Sequence, residues 1–335
     1  PSLNRRLFLR ILVTGGAGYV GSHTVRYLNE SGADVTVLDN FSTGHHWAVN
    51  GIKLIEADLL DASELESAFR VCNFDAVIHF AAKSIVSESE LSPIEYFKNN
   101  VSGSINLCEA MLESDVKNIV FSSTAAVYGE PNQEFIAENH PLSPINIYGQ
   151  TKLAIENMLQ ELYRSKGLRS VSLRYFNAAG AEPTGGIGEA HPCETHLIPN
   201  VINGILSGAN DEISIFGNDY PTRDGTCIRD YVHVNDLASA HCLSLEHLLD
   251  SNICEQYNLG SGLGCSVLEI VKAIDKVSKL PIEFSFKDRR QGDPACLVAD
   301  INKVKSDLNW EPIHSSINEI IADAYRWHQS RFVCR

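Results

Sequence analysis

A tyrosine and a lysine stand four residues apart in the segment INIYGQTKLAIE, residues 145–156. Residues i and i+4 share one face of a helix, so the amine of Lys152 is predicted to lie beside the phenol of Tyr148. A free phenol has a pKa near ~10, and a neighbouring cation favours the phenolate. The spacing therefore predicts that Lys152 lowers the pKa of Tyr148 and makes it a proton acceptor. The same spacing also occurs by chance on many helices. Whether this pair is catalytic therefore depends on the motifs in the rest of the chain.

Short apolar segments rich in Val and Ile alternate with helix-length segments in the first half of the chain. The segments FLRILVTG, ADVTVLD, IKLIEAD, FDAVIHFAA, KNIVFSS and RSVSLRYFN predict strands. Helices are predicted at 19–31, 61–72, 93–114 and 148–166, and, beyond a Gly- and Pro-rich stretch after Asn177, near 196–208, 235–249, 266–278 and 315–331. This alternation predicts an α/β fold with a doubly wound parallel sheet that is covered on both faces.

Composition limits the classes of ligand and partner. The 335 residues are 44% hydrophobic, enough for a large core, and the formal charge of -15 argues against binding to nucleic acid or to an anionic membrane surface. An anionic ligand therefore needs a few well-placed cations. Nine cysteines without a CxxC pair predict reduced thiols. With no apolar run of about 18 residues and no leader pattern, a cytoplasmic protein is expected, although Pro1 leaves the true start of the chain open.

Three glycines in ILVTGGAGYVGSHTVRYL lie between a predicted strand and a predicted helix. Gly15, Gly18 and Gly21 would let the backbone turn tightly and approach a pyrophosphate at the helix N-terminus. Asp39 follows at close to the ~20-residue offset expected for an acid that binds a ribose diol. Its carboxylate would repel a 2'-phosphate and no arginine follows it, so NAD is favoured over NADP. Asp58 ends the third predicted strand as either an adenine contact or a helix cap.

Several motifs in a fixed order carry a family resemblance. TGGAGYVG, HFAA, SSTAAVYG, YGQTK and LRYFNAAGA resemble the extended short-chain dehydrogenase/reductase family, and GNDYPTRDGTCIRDYVHVNDLA is similar to the UDP-glucose 4-epimerases within it. The resemblance covers nearly the whole chain. It implies a Rossmann-type NAD-binding domain over 1–176 and a smaller C-terminal α/β domain for a UDP-sugar over 177–335, with some C-terminal segments able to return to the first domain.

The resemblance assigns roles to individual residues. Tyr148 is implied as the base, Lys152 as the ligand of the nicotinamide ribose, and Thr124 as the hydroxyl that orients the sugar. Lys83 stands one position before the lysine that is usual in its segment. The implied NAD site comprises Gly15, Gly18, Tyr19, Val20, Gly21, Asp39, Asn40, Asp58, Leu59, Phe80, Ala81, Ala82, Lys83, Asn99, Ser122, Tyr148, Lys152, Tyr175 and Phe176.

A diphosphate-linked sugar needs cations, and the resemblance implies Arg229 and Arg290 for the diphosphate. Asp293 is implied to face a ribose, and His196 stands where an asparagine is common. The implied substrate site comprises Thr124, Tyr148, Asn177, His196, Leu197, Ser214, Phe216, Arg229, Tyr231, Arg290, Asp293 and Leu297. Each of these could instead be an ordinary turn or core residue. No metal site is predicted, because histidines such as His79, His233 and His241 show no metal-ligand spacing.

The residues after Thr124 favour one reaction within the family. Relatives that dehydrate or decarboxylate the sugar carry acidic residues there, whereas this chain has Ala125 and Ala126, which cannot move a proton. The resemblance therefore implies the interconversion of UDP-glucose and UDP-galactose with NAD, by a homodimer that pairs through the helices at 93–114 and 148–166. A 4-epimerase of UDP-N-acetylhexosamines or UDP-pentoses is the nearest alternative, and Leu297 is implied to border the sugar C2 substituent. A non-catalytic NAD-binding regulator is the alternative from another class.

Overall fold

Alternating strands and helices build a large parallel sheet in the computed structural model, which describes residues 9–131, 133–191, 194–208, 212–290 and 293–333. The strands are β1 Arg10–Thr14, β2 Asp34–Asp39, β3 Lys53–Glu56, β4 Ala76–His79, β5 Asn118–Thr124, β6 Phe135–Ile136, β7 Arg169–Tyr175, β8 Asn177–Ala179, β9 Ile213–Phe216, β10 Ile228–Arg229, β11 Tyr231–His233, β12 Cys254–Leu259, β13 Cys265–Ser266, β14 Phe284–Lys287 and β15 Cys296–Ala299. Seven of them form one sheet in the order β12-β7-β5-β4-β1-β2-β3, with every pairing parallel.

The helices connect these strands. They are α1 Tyr19–Glu30, α2 Ala62–Val71, α3 Val86–Leu91, α4 Pro93–Tyr96, α5 Gly103–Glu113, α6 Ile147–Lys166, α7 Leu197–Ser207, α8 Val234–Asp250, α9 Val267–Ser278, α10 Asn302–Leu308 and α11 Ile317–Val333. No helix among the described residues combines the length and the apolar character that crossing a membrane requires.

Helices cover the seven-stranded sheet on both faces. On one face α1 and α8 bury Val25, Leu28 and Leu245 against the strands. On the other face α2, α5 and α6 bury residues such as Leu65 and Leu159. This is the predicted fold class, which the structure confirms. The neighbours of β1 are β2 on one side and β4 on the other, so the direction of winding reverses there, and the carboxyl ends of these strands border a crevice.

The C-terminal part of the chain has a second core. Helices α7, α9 and α11 pack together through residues such as Ile202, Ile274 and Ile321. A four-stranded sheet in the order β13-β10-β15-β6 and two two-stranded pairs, β11-β8 and β14-β9, lie beside them. Strand β12 and helix α8 follow residue 177 in the chain but belong to the large sheet and its cover. The domain boundary between residues 176 and 177 stays a prediction.

The segment predicted as one helix over 93–114 contains a π-helical turn. Residues Phe97–Ser102 adopt this wider turn between α4 and α5. The buried amide of Asn100 lies within it, donating to the carbonyl of Lys83 at 3.0 Å and to Oγ1 of Thr151 at 3.1 Å. Single π-turns of this kind are frequent at functional sites. Here the turn fixes the segment that carries Asn99 beside α6.

Candidate active site

One cleft of about 1690 Å³ runs along the carboxyl ends of the parallel strands and across the C-terminal part of the chain. It is lined by every residue that the sequence analysis assigned to the cofactor or to the substrate. The structure therefore brings the two predicted sets together in one continuous space, while the role of each side chain stays a prediction.

The glycine-rich loop after β1 leaves no room for side chains. Gly15 has a φ of +69°, and a Cβ there would lie 2.4 Å from the main-chain nitrogen of Ala81. A Cβ on Gly21 would lie 2.3 Å from the carbonyl oxygen of Gly15. No side chain caps α1 at Gly18, which leaves the amides of the first turn to a ligand. This cradle fits a pyrophosphate at a helix N-terminus.

The acid predicted to bind a ribose lies at the end of β2 and is nearly buried. Asp39 accepts hydrogen bonds of 2.9 Å from the main-chain nitrogens of Ala17 and Phe41. Burial raises the pKa of its carboxyl, and the two amides oppose that shift. Asn40 donates to the carboxylate of Asp58 at 2.9 Å, which ties together the loops after β2 and β3. A carboxylate beside a glycine cradle fits the adenosine half of NAD.

Three further predicted cofactor contacts are held by neighbouring side chains in the cleft. The ammonium of Lys83 forms ion pairs with Glu88 at 3.1 Å and Glu95 at 3.2 Å, so a ligand would compete with two carboxylates. The hydroxyls of Ser122 and Tyr175 lie 2.5 Å apart on the wall of the cleft.

Tyr148 and Lys152 lie on the first turns of α6. The helix starts where the side chain of Asn146 accepts a hydrogen bond from the nitrogen of Gly149 at 2.8 Å, and it ends at Gly167 in the left-handed conformation. The amine of Lys152 lies 5.8 Å from the centre of the Tyr148 ring. Thr124, at the end of β5, is hydrogen-bonded to the Tyr148 side chain.

The pKa shifts of this pair differ from the prediction. Burial raises the pKa of Tyr148 to about 12, and the hydrogen bond with Thr124 opposes that shift. Burial also lowers the pKa of Lys152 to about 7, although the negative charge of Glu156 opposes that shift. Desolvation therefore raises the pKa of the Tyr148 phenol where the sequence predicts a lowering, and the action of Lys152 on this phenol stays a prediction.

A buried ion pair that the sequence analysis did not identify supports α6. The guanidinium of Arg174 contacts the carboxylate of Glu156 at 2.5 Å, and both side chains are 4% exposed. Ser123 donates to the same carboxylate at 2.5 Å. Arg174 also donates to the phenol of Tyr128 at 3.0 Å. These contacts fix α6 against β5 and β7, and with it the position of Lys152.

The predicted diphosphate arginines lie at the other end of the cleft. Arg229 contacts the carboxylate of Asp293 at 3.0 Å and donates to the carbonyl of Pro294 at 2.8 Å. The guanidinium carbon of Arg290 lies 4.0 Å from the centre of the Phe216 ring, as in a cation–π contact. Arg229 is thus paired with the acid that was assigned to a ribose.

The remaining predicted substrate residues also line the cleft. The side chain of Asn177 donates to the carbonyl of Asp230 at 3.0 Å, and Tyr231 lies on the adjacent strand β11. Leu297, on β15, packs against the small buried core of Val127, Tyr128 and Ile136. The others are Leu197 at the start of α7 and Ser214 on β9.

His196 lies in a cluster that was not predicted. Its Nδ1 contacts Glu189, and His191 Nδ1 lies 3.3 Å from both Glu189 and Glu194. Burial alone would raise the pKa of Glu189, but hydrogen bonds with the two histidines lower it to about 2. The spacing E-x-H-x-x-E-x-H over 189–196 is the sequence signal that could have identified this group.

A glycine turn at the switch point of a parallel sheet, a buried acid at the end of the neighbouring strand and a Tyr–Lys pair on one helix are together typical of a dinucleotide-dependent enzyme of the short-chain dehydrogenase/reductase type. Residues 11–260 match the model of the NAD dependent epimerase/dehydratase family. The chain belongs to this family, and its members' cofactor, NAD, is the one that the cleft fits.

Known proteins are similar to this chain over nearly its whole length. The UDP-glucose 4-epimerase of Halalkalibacterium halodurans is 50% identical over 321 residues, which span 96% of each chain. A crystal structure of a UDP-glucose 4-epimerase is 47% identical with a TM-score of 0.94, covering 96% of this chain and 98% of the other. The UDP-glucose 4-epimerase of Brucella ovis, solved in complex with NAD, is 42% identical with a TM-score of 0.92 and the same coverage. The predicted family, fold and cofactor are thereby confirmed.

Proposed function

We propose that this chain interconverts UDP-glucose and UDP-galactose by NAD-dependent epimerisation at C4 of the sugar. The observation that carries the proposal is that Tyr148, Lys152 and Thr124 line the same cleft, with the small side chains of Ala125 and Ala126 directly after Thr124. The names of the similar proteins support the same reaction. Because neither alanine can move a proton, the positions after Thr124 suit epimerisation better than dehydration.

The chemistry that bound NAD supplies is reversible hydride acceptance at C4 of the sugar. As the phenolate, Tyr148 takes the proton of the 4-hydroxyl, and as the phenol so formed it later returns that proton to the sugar oxygen. The hydroxyl of Thr124 holds the sugar oxygen and the phenol in line. Lys152 is fixed by its hydrogen bond of 2.7 Å to the carbonyl of Ser122, so its amine stays close to the phenol and to the predicted ribose.

The substrate is held through its diphosphate and not by the overall field of the protein. A net charge of -15 repels a polyanion at a distance, so local cations have to supply the attraction. Arg229 and Arg290 are assigned to the two phosphates. When substrate binds, Arg229 has to share its guanidinium between Asp293 and a phosphate oxygen. A keto-sugar that stays anchored through its diphosphate can leave Thr124, turn and present its opposite face, and the cleft volume of about 1690 Å³ leaves room for that motion.

The test is a panel of UDP-sugars assayed with purified protein and no added NAD. We expect conversion of UDP-galactose to UDP-glucose, because NAD is held throughout turnover. Measurable but slower conversion of UDP-N-acetylhexosamines would agree with the intermediate size of Leu297. A preference for UDP-pentoses would show that the assigned substrate is wrong. Failure to convert any UDP-sugar would favour a non-catalytic NAD-binding regulator.

A homodimer that pairs through the helical segments over 93–113 and 147–166 is part of the same proposal. Apolar side chains are exposed along the first segment, with Ile94 at 70% and Phe97 at 40%. Exposed apolar surface on adjacent helices is typical of a subunit interface. Light scattering of the purified protein would test it, with Ile94→Lys expected to give monomers.

A cytoplasmic location is proposed on cysteine content alone, and cell fractionation would test it.

A further inference from the structure

Four side chains that can bind a metal converge beside the cleft, in the segment between β8 and α7. They are Glu189, His191, Glu194 and His196, and one ligand atom from each lies within 4.8 Å of all the others. Residues 192 and 193, between them, lie outside the described part of the chain. We propose that these four side chains form a structural Zn²⁺ site. The proposal does not depend on the assigned reaction.

Three of the four His–Glu distances within the group are close to those around one tetrahedral ion, whereas His196 Nδ1 contacts Glu189 directly and would have to move apart from it to admit the ion. Zinc bonds of 2.0–2.1 Å to nitrogen and oxygen place neighbouring ligand atoms about 3.4 Å apart. His191 Nδ1 lies 3.3 Å from the carboxylates of Glu189 and Glu194, and His196 Nδ1 lies 3.9 Å from Glu194. Each imidazole thus directs the same nitrogen at both carboxylates. A single N–H cannot satisfy two such acceptors well, whereas one cation between them can.

The charge and the donor types select the ion. Two carboxylates and two neutral imidazoles around a divalent cation sum to zero, which suits a site whose glutamate side chains are 5% and 10% exposed. Calcium and magnesium prefer six or more oxygen ligands, so an N₂O₂ set favours zinc. Four protein ligands complete the tetrahedron, which is the arrangement of a structural site and not of a catalytic one.

The backbone around the group is already fixed by neighbouring segments. Trp327 donates to the carbonyl of Glu189 at 2.8 Å, and His45 Nε2 lies 2.7 Å from the carbonyl of Ala190. The Glu194 carboxylate accepts from the main-chain nitrogens of Thr195 at 2.9 Å and His196 at 3.1 Å. Since His196 directly precedes α7, the ion would hold the start of that helix against the loop at 189–191.

The test uses tag-free protein with its NAD retained, stripped of metal with a chelator and then titrated with Zn²⁺ in a calorimeter. Co²⁺ replaces zinc in a parallel titration followed by absorption. We expect stoichiometric binding and the visible bands of tetrahedral Co²⁺, without the near-ultraviolet band that thiolate ligands produce. That band would assign the metal to the cysteines and overturn the proposal.

The variant His191→Asn should lower zinc affinity at least about tenfold, since even outer-shell partners change affinity by that factor. Glu194→Gln is the second variant if the first does not fold. His314→Asn is the matched control, because His314 Nδ1 lies 2.7 Å from one carboxylate, that of Glu319, in an exposed pair. Absence of stoichiometric binding by the wild type, or affinity unchanged in both ligand variants, would refute the site.

Discussion

The side-chain amine of Lys152 donates a hydrogen bond of 2.7 Å to the main-chain carbonyl of Ser122. This contact joins α6 to β5 inside the protein, where Lys152 is 2% exposed. The position suits the lysine for contact with the predicted ribose, but it removes a cation from water. Function and stability are therefore expected to oppose each other at this residue.

Replacing the buried amine should stabilise the fold in a pH-dependent way. The pKa of Lys152 is about 7 in the folded chain and ~10.4 when unfolded, so between these values the unfolded chain binds a proton that the folded chain does not. Stability conferred by the wild-type residue therefore rises with pH across this window. With NAD removed from both proteins, Lys152→Met should raise the free energy of unfolding by roughly 2–4 kcal/mol at pH 6.5, after the lost hydrogen bond is counted.

Urea unfolding at pH 6.5 and 9.5 measures this difference, which should be much smaller at the higher pH. Lys166→Met, at the exposed end of the same helix, is the control and should change little. An equal gain at both pH values would mean that the effect comes from packing and not from the buried charge.

Removing the phenol oxygen of Tyr148 should stop the proton transfer without disturbing the fold. Turnover of UDP-galactose by Tyr148→Phe should fall by at least about a hundredfold, the scale of losing a general base. NAD content, read from the absorbance of denatured protein, should be retained. Tyr163→Phe on the same helix is the control, because its hydroxyl bonds the carbonyl of Asn252 at 2.8 Å, away from the cleft. Near-normal turnover by Tyr148→Phe would remove this residue from the mechanism.

The hydroxyl of Thr124 should set the pH at which Tyr148 works. Its hydrogen bond lowers the pKa of the phenol, so Thr124→Val should raise that pKa. The phenolate forms as pH rises through the pKa, and the acid limb of the activity profile should therefore move to higher pH. Thr124→Ser keeps the hydroxyl and should restore the wild-type profile. A valine variant with lower activity but an unshifted limb would assign Thr124 to sugar positioning alone.

Asp39 should set the preference for NAD over NADP. The main-chain nitrogens of Ala17 and Phe41 donate to its carboxylate and fix its position. In that position the negative carboxylate would repel the 2'-phosphate of NADP. Asp39→Ala should weaken NAD binding and reduce the discrimination against NADP, as measured by the affinity of stripped protein for both cofactors. Asp34→Ala, at the exposed start of the same strand, should leave both affinities unchanged. Wild-type protein that prefers NADP would contradict this role.

Leu297 should limit the size of the sugar. The added ring of Leu297→Tyr should fill the space that an N-acetyl group needs and spare the smaller hexoses, so activity on UDP-N-acetylhexosamines should disappear first. Rates on both substrate classes measure this, with Leu263→Tyr at a position that is 79% exposed as the control. Equal losses on both classes would indicate that Leu297 supports the neighbouring core of Val127 and Tyr128 instead.

The sequence by itself determined the features that depend on short spacings. The period of apolar residues predicted the strands and helices, and Gly15, Gly18 and Gly21 between a strand and a helix predicted the pyrophosphate loop. The four-residue spacing placed Tyr148 and Lys152 on one helical face. These features depend on the backbone geometry of a few consecutive residues, so they can be read without knowing the partners of each element.

Only the tertiary structure decided which distant residues contact these groups and how burial shifts their pKa values. Arg174 and Glu156, on β7 and α6, form the ion pair that fixes the helix, and the π-turn at Phe97–Ser102 depends on contacts of Asn100 with Lys83 and Thr151. The pKa of Tyr148 rises where the sequence predicted a fall, because desolvation depends on everything packed around the phenol. Short spacing cannot give that quantity, since it is set by chain segments that meet only in the folded protein.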